Sequence, residues 1–203
     1  MDTDHNIVLK FSRRYSMGHR LISGAAKDCQ IPHGHDEVVT VNIANKDNRG
    51  LDPNTNMLVE FEEAKGQWFK WIDQAVDHSF HINAEDPIID FFRTNEPELL
   101  SKLLITPGDP TTEIRAACYH AKLNSFLGSG NKGLICLGLQ IQETPTNAVY
   151  FSSDNIDNFL SPDEANWWNR ADLSINDLDE TKTNQTNLKS VSYTHLTLPT
   201  SKI

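Results

Sequence analysis

The residues best suited to chemistry in this 203-residue sequence lie in one short segment, Cys29 to His35, which reads CQIPHGH. Side chains alternate along a strand, so His33 and His35 would point to one face and could bind the same ion. Neutral imidazole suits Zn²⁺ better than Mg²⁺ or Ca²⁺, which prefer oxygen ligands. The spacing therefore indicates a zinc site, and the alternative is a pair of surface or core histidines.

Two further residues decide what kind of zinc site this would be. His19 ends the preceding predicted strand and would be a third ligand if the two strands pair. Three protein ligands leave a fourth position open, as in catalytic zinc sites. Cys29 would close the site as a fourth ligand, act as a base if its thiolate lies beside a bound substrate, or be a small buried hydrophobe. The residues alone leave these three roles open.

The elements that must position these residues are two strands. NIVLKFSRRYSMGH, ending near His19, and HDEVVTVNIAN both show alternating apolar residues. Gly24 lies in the connection between them, which suits an antiparallel pair with an elaborated loop.

Downstream, the hydrophobic period becomes helical. A short strand at 57–60 is predicted to lead into a helix over about 62–76, and PIIDFFRTNEPELLSKLL predicts short helical turns. GDPTTEIRAACYHAKLNSFLG predicts a second main helix with a threonine cap, and GLICLGLQIQET and NAVYF predict two final strands. The order predicts an α+β fold, an antiparallel sheet with two main helices on one face.

Composition restricts the function. With 18 basic and 28 acidic residues the formal net charge is −10, so we expect no general binding to nucleic acid or to an anionic membrane. No apolar run approaches the roughly 20 residues of a membrane span. The N-terminus lacks a secretory pattern, and three widely spaced cysteines argue against a disulfide framework. We therefore expect a cytoplasmic protein.

Three sections follow one another along the chain. Residues 1–151 carry the periodic patterns and predict one domain. Residues 152–190 are polar and acidic; we expect Phe159, Leu160, Trp167 and Trp168 to dock this extension onto the domain and its later half to be disordered. Residues 191–203 begin with VSYTHLTLPT, which matches an in-frame translation of a sequencing-library adaptor, with a β-prone tail as the alternative. We expect the natural C-terminus to differ from the printed one.

Taken in order, F…GHRL…C…HGH…DH…PTTE…QET resembles the 6-pyruvoyl-tetrahydropterin synthase and 6-carboxytetrahydropterin synthase family, from about Phe11 to Phe151. The resemblance implies the tunnelling fold, with subunits assembled into trimers and hexamers around a central barrel and with sites at subunit boundaries. The zinc ligands that it implies are His19, His33 and His35. It also implies that Cys29 is the catalytic base and that Asp77 and His78, often from a neighbouring subunit, relay protons to it.

The same resemblance implies a pterin site formed by Thr111, Thr112, Glu113 and Glu143. A pterin presents an amino group beside a ring N–H, and one carboxylate accepts both donors with fixed geometry. Without the resemblance, Glu143 would be interpreted as an exposed charge at a strand end.

Two reactions are known in the family. One branch eliminates triphosphate from 7,8-dihydroneopterin triphosphate to give 6-pyruvoyl-tetrahydropterin. The other also releases acetaldehyde and gives 6-carboxytetrahydropterin for the 7-deazaguanine (queuosine) pathway, and the Cys-x-x-x-His-Gly-His spacing favours this branch. The rival hypotheses are a non-catalytic zinc-binding oligomer and another zinc hydrolase or cyclohydrolase.

The sequence departs from the family pattern beside the site. After HGH the family has a small polar residue and an aromatic, whereas this chain has Asp36 and Glu37, and Ile114 replaces the usual Asn. Strand alternation places Glu37 on the face of His33 and His35, so we expect it to orient a ligand histidine.

Overall fold

Two long antiparallel strands form the centre of the sheet, as predicted. The computed structural model describes residues 5–24, 26–130 and 133–178. β1 (Val8–His19) pairs with β2 (His33–Asn45), from Val8 opposite Ala44 to His19 opposite His33. Alternate residues of β2 are buried in the core, because side chains on one face of the strand meet the helices.

The sheet has six strands in the order β4-β3-β1-β2-β5-β6. The remaining strands are β3 (Ser79–Asn83), β4 (Leu103–Thr106), β5 (Leu134–Gln142) and β6 (Ala148–Phe151). β3 runs parallel to both β1 and β4, so the sheet is mixed instead of purely antiparallel. SFHIN and LLIT are too short to show a period, which explains why the sequence analysis missed these two strands.

Two main helices are present, as predicted. They are α2 (Phe61–Trp71), continued by one π-helical turn to Val76, and α4 (Thr112–Ser129), capped by the Thr111 hydroxyl. The shorter helices are α1 (Lys27–Gln30) and α3 (Ile88–Asn95), and a 3₁₀ turn covers Pro97–Lys102. The predicted strand at 57–60 is wrong: these residues form a bend, since they have no partner strand and lead directly into α2.

An aromatic cluster joins the helices. The ring of Trp71 lies between those of Trp68 and Trp167, with centroids 5.1 and 6.0 Å away, and Tyr119 of α4 meets it edge-on. A smaller apolar cluster of Ile82, Ile89 and Leu103 lies between β3, β4 and α3. No helix within the described residues has the length and hydrophobicity needed to cross a membrane.

The C-terminal extension contributes to the main core. Leu160, Trp167 and Trp168 are buried as expected, whereas Phe159 is 53% exposed. Residues 172–178 belong to the later half, for which disorder is predicted, yet they lie in the described part of the chain, and Ile175 among them is buried. The rest of that half, residues 179–190, and the adaptor-like segment 191–203 lie outside the described residues. We call residues 152–178 the C-terminal strap.

The C-terminal strap also covers the outer edge of the sheet. The amide of Ile105 in β4 donates to the Ile175 carbonyl at 3.1 Å, and the Trp167 indole donates to the Ile105 carbonyl at 2.8 Å. The buried ammonium of Lys122 in α4 donates to the carbonyls of Trp167 and Arg170 at 2.9 and 2.7 Å. Backbone groups of an otherwise bare edge strand are thus satisfied within the chain.

Trp167→Ala is expected to lower the free energy of unfolding by about 3–5 kcal/mol, because it empties a fully buried aromatic site. Urea titration followed by circular dichroism measures this change. Phe159→Ala, in the same strap but half exposed, is the matched control and should cost less than about 1.5 kcal/mol. Equal midpoints for both variants would show that the strap does not support the core.

Candidate active site

Three histidine rings meet where β1 ends and β2 begins. His19 and His33 are directly opposite each other in the strand pair, and His35 is the next residue of β2 on the same face. One ligand atom from each ring lies within 4.8 Å of the others, and the Nε2 atoms of His19 and His33 are 2.9 Å apart. The structure therefore brings together the three residues that the sequence predicted, in a group that could hold a metal ion.

Backbone carbonyls fix the tautomers of two rings. His19 Nδ1 lies 3.2 Å from the Pro110 carbonyl, and His33 Nδ1 lies 2.8 Å from the Ile31 carbonyl. A carbonyl only accepts, so each Nδ1 donates its proton and each Nε2 of the neutral ring carries a lone pair. Two lone pairs facing each other at this distance repel unless a cation lies between them. This donor set fits Zn²⁺, whose histidine ligands usually donate their second nitrogen to such an acceptor.

The electrostatics also favour the neutral form of the His19 ring. Burial, and then the positive charge of Arg115, lowers the pKa of the His19 imidazole to about 4. His19 is therefore unprotonated at neutral pH and available as a ligand.

Gly34 allows the close approach of the two strands between the ligand histidines. A Cβ atom at this position would lie 2.7 Å from the Met17 carbonyl oxygen of β1, a distance that real Cβ contacts do not show. Gly34 is therefore required between the two histidines because a larger side chain would clash with the backbone of β1.

Cys29 lies in the loop that begins and ends at these histidines. It is part of α1, is half-buried, and its carbonyl accepts a hydrogen bond from the Leu21 amide at 2.8 Å, which closes the base of the loop. Among the described residues the group that could hold a metal contains the three histidines and not this thiol. The other two cysteines, Cys118 and Cys136, are free and buried.

Asp77 and His78 form a pair just before β3. The Asp77 carboxylate contacts His78 Nδ1 at 2.9 Å and accepts the Ser16 amide at 2.8 Å. Burial would raise the pKa of Asp77, but these two hydrogen bonds hold it below its ordinary value. The His78 side chain is 79% exposed, and within the described part of the chain the pair has no hydrogen bond to Cys29. One protomer therefore does not join the predicted base to its predicted relay.

The residues predicted to bind a pterin are brought together in part. The Thr112 hydroxyl donates to Glu143 Oε1 at 2.8 Å, linking the first turn of α4 to the residue after β5. Thr111 accepts the Ile114 amide as the helix cap, and Glu113 is exposed. The Glu143 side chain is 24% exposed, so its carboxylate remains accessible.

Glu37 does not contact a ligand histidine, so the expected orienting role is wrong. Instead its buried carboxylate receives two hydrogen bonds from Arg115, at 2.6 and 2.8 Å, and one from the Tyr15 hydroxyl at 2.6 Å. A charge buried in the core requires such a partner, and this cation lies within reach. Asp36 points to the opposite face, where Arg14 and Ser16 bind it.

Arg115 is the site residue that the sequence analysis missed. Its guanidinium has no exposed area. Burial alone would lower the pKa of Arg115, but the charge and hydrogen bonds of Glu37 raise it above the ordinary value. A signal was present, because Arg115 and Lys122 are two cations two turns apart in a helix that is otherwise rich in Ala and Leu.

Fold and site together define an α+β protein whose three-histidine group can hold a metal ion. The model of the 6-pyruvoyl tetrahydropterin synthase family matches residues 8–154, and the chain belongs to this family. Its fold is accordingly the tunnelling fold that the motifs predicted.

Individual members of the family match this chain only at modest sequence identity. The chain is 35% identical over 82 residues to a protein of Rickettsia felis and 32% identical over 108 residues to one of Rickettsia bellii, both named 6-carboxy-5,6,7,8-tetrahydropterin synthase. These matches cover 39% and 52% of this chain, and 55% and 73% of the relatives, so the chain spans little more than half of the first. An uncharacterized protein of Wolinella succinogenes shares the fold, with a TM-score of 0.57 at 20% identity over 73% of this chain and all of that one.

Proposed function

We propose that the protein is a zinc-dependent 6-carboxy-5,6,7,8-tetrahydropterin synthase. It would convert 7,8-dihydroneopterin triphosphate to 6-carboxytetrahydropterin, with release of acetaldehyde and triphosphate, in 7-deazaguanine (queuosine) biosynthesis. The observation that carries the proposal is the convergence of His19, His33 and His35 beside the Cys29 loop, in a chain of the pterin synthase family. The names of the Rickettsia relatives support the carboxy product over the pyruvoyl product.

The three imidazoles would hold Zn²⁺ through their converging nitrogens. When bound, the ion supplies Lewis-acid polarisation of oxygens on the substrate side chain. The buried neutral His19 and the carbonyl-bound His33 hold two of the ligand nitrogens in place before the ion arrives. This prearrangement limits the reorganisation required for binding.

Cys29 is proposed to move protons of the substrate side chain as general base and acid. Asp77 would hold His78 in the tautomer that passes the proton on, because its carboxylate fixes Nδ1 and leaves Nε2 facing outward. The exposure of His78 supports a relay that acts on a neighbouring subunit.

Glu143 is proposed to anchor the pterin ring. Its Oε1 accepts from Thr112, while Oε2 has no hydrogen bond within the described residues, so the carboxylate can accept the amino group and ring N–H of a pterin. Thr111 and Glu113, at the start of α4, would form the neighbouring part of the proposed pterin pocket.

The protein is further proposed to act as a homo-oligomer, a trimer or hexamer, with sites at subunit boundaries. Among the described residues, β1 from Val8 to Tyr15 has a partner strand on one side only, and β6 is the outer strand at its end of the sheet. Pairing of these edges between subunits would satisfy their free backbone groups.

Sharing of sites between subunits predicts complementation. Cys29→Ala and His78→Ala should each be inactive alone, whereas an oligomer reassembled from an equal mixture should regain about a quarter of the activity through hybrid sites. Activity measured after unfolding and joint refolding tests this. A mixture as inactive as its components would place both residues of each site in one subunit.

The proposed reaction is tested by incubating the zinc-loaded protein with 7,8-dihydroneopterin triphosphate and identifying products by mass spectrometry. 6-Carboxytetrahydropterin with acetaldehyde supports the proposal. The pyruvoyl product would assign the chain to the other branch, and formate released from GTP would indicate a cyclohydrolase. Absence of any turnover would favour the alternative that the protein is a non-catalytic zinc-binding oligomer.

A further inference from the structure

A buried cation is shared between two carboxylates behind the proposed pterin pocket. Arg115 donates through Nη1 and Nη2 to the two oxygens of Glu37, at 2.6 and 2.8 Å. Its Nη2 also lies 3.0 Å from the Thr112 hydroxyl and 3.5 Å from Glu143 Oε1. Arg115 is thus held firmly by Glu37 and only loosely by Glu143.

This arrangement leaves the charge on Glu143 only weakly compensated, because its one contact with Arg115 is long, at 3.5 Å. Glu37 and Arg115 are both fully buried and neutralise each other in a bidentate pair. The partly exposed Glu143 then carries the excess negative charge of the three groups and has an oxygen that is open to a ligand. Without the charge of Glu37, the nearest anion for the buried guanidinium would be Glu143, and a buried cation strongly favours such a partner.

We infer that Glu37 is a positioning residue for ligand binding: it retains Arg115 and thereby keeps the Glu143 carboxylate available for the paired N–H donors of a pterin. The nature of the ligand rests on the proposed function, whereas the competition of two carboxylates for one guanidinium does not. Thr112 takes part as the hydroxyl between Arg115 and Glu143, accepting from the first and donating to the second.

The test compares Glu37→Gln with Asp36→Asn, its neighbour on β2, which removes the same charge from the opposite and exposed face. In the zinc-loaded protein, Glu37→Gln is expected to weaken binding of the probe 7,8-dihydroneopterin about tenfold, since a charge-assisted contact is lost. For the triphosphate substrate, KM should rise by a similar factor while kcat changes less than about twofold. Glu37→Gln should bind as much zinc as the wild type. The Asp36→Asn variant should match the wild type in zinc content, dihydroneopterin binding and KM.

A double variant separates positioning from simple stabilisation. In Glu37→Gln/Arg115→Gln no cation remains to capture Glu143, so binding should return to within about threefold of the wild type, although a stabilising ion pair is absent. A merely structural role predicts that the double variant binds no better than Glu37→Gln. That result, or unchanged binding by Glu37→Gln, would overturn the inference. If the single variant fails to fold, loss of binding in the double variant overturns it.

Failure of the proposed function gives a different pattern. A wild-type protein that binds no dihydroneopterin and turns over no dihydropterin triphosphate refutes the pterin assignment. In that case the crystal structure of Glu37→Gln still decides the inference. A direct Arg115–Glu143 ion pair, with the 3.5 Å separation shortened to about 2.8 Å, supports it, and an unchanged separation overturns it.

Discussion

Replacing Cys29 by alanine is expected to lower turnover of 7,8-dihydroneopterin triphosphate by about 10²–10⁴-fold while zinc remains bound. The thiol lies in the loop between the two ligand-bearing strands but is absent from the group of nitrogens that could hold the ion. Its removal therefore eliminates proton transfer and leaves the metal ligands in place. Product formation by mass spectrometry and zinc content by atomic spectroscopy are measured on the same sample.

Cys118→Ala is the matched control. Cys118 is fully buried in α4, and burial raises its pKa far above the ordinary value, so it is an inert core thiol. This variant should keep its turnover number despite a modest loss of stability. If Cys29→Ala loses zinc together with activity, the thiol is a fourth ligand and the site is structural; if it keeps full activity, the base is another residue.

Replacing His35 by alanine is expected to reduce both metal affinity and activity by more than about 100-fold, since loss of a direct ligand should exceed the loss caused by an outer-shell partner. His35 is half-buried and belongs to the exposed start of β2, so the fold should tolerate the change better than at the buried His19. Zinc binding is measured by competition with a chromogenic chelator, and activity by product analysis.

Chelation of the wild-type protein provides the control for this variant. Removal of zinc should abolish turnover and readdition should restore it, whereas His35→Ala should stay inactive at the same zinc concentration. His120→Gln offers a second control, because that buried ring donates to the Cys136 carbonyl, in the core rather than in the histidine group. Zinc binding of His35→Ala equal to that of the wild type would refute the three-ligand centre.

The histidine group could be predicted from sequence because its geometry follows from one period and one strand pairing. Alternation along β2 places His33 and His35 on one face, and pairing of the flanking strands brings His19 opposite His33. The threonine cap of α4 was equally local in origin. The family motifs added Glu143, whose contact with Thr112 depends on elements far apart in sequence.

Other features depend on partners that no local pattern specifies. β3 is a strand because β1 offers it an edge, and β4 is a strand because β3 does; the few residues of each carry no period of their own. Arg115 was overlooked because a cation on a helix is usually solvated, and only the buried Glu37 of a distant strand makes its burial favourable. The expected contact of Glu37 with a histidine failed for the same reason.

The C-terminal strap changes where the cooperative folding unit of this protein ends. The family match stops at residue 154, yet Leu160, Trp167 and Ile175 are core residues and Lys122 is buried beneath strap carbonyls. A fragment cut at the family boundary would expose the apolar surface beside Trp71 to water. It would also leave the Lys122 ammonium in that surface without its strap partners. A fragment meant to keep the whole core therefore has to extend beyond the family match and include the strap through residue 178.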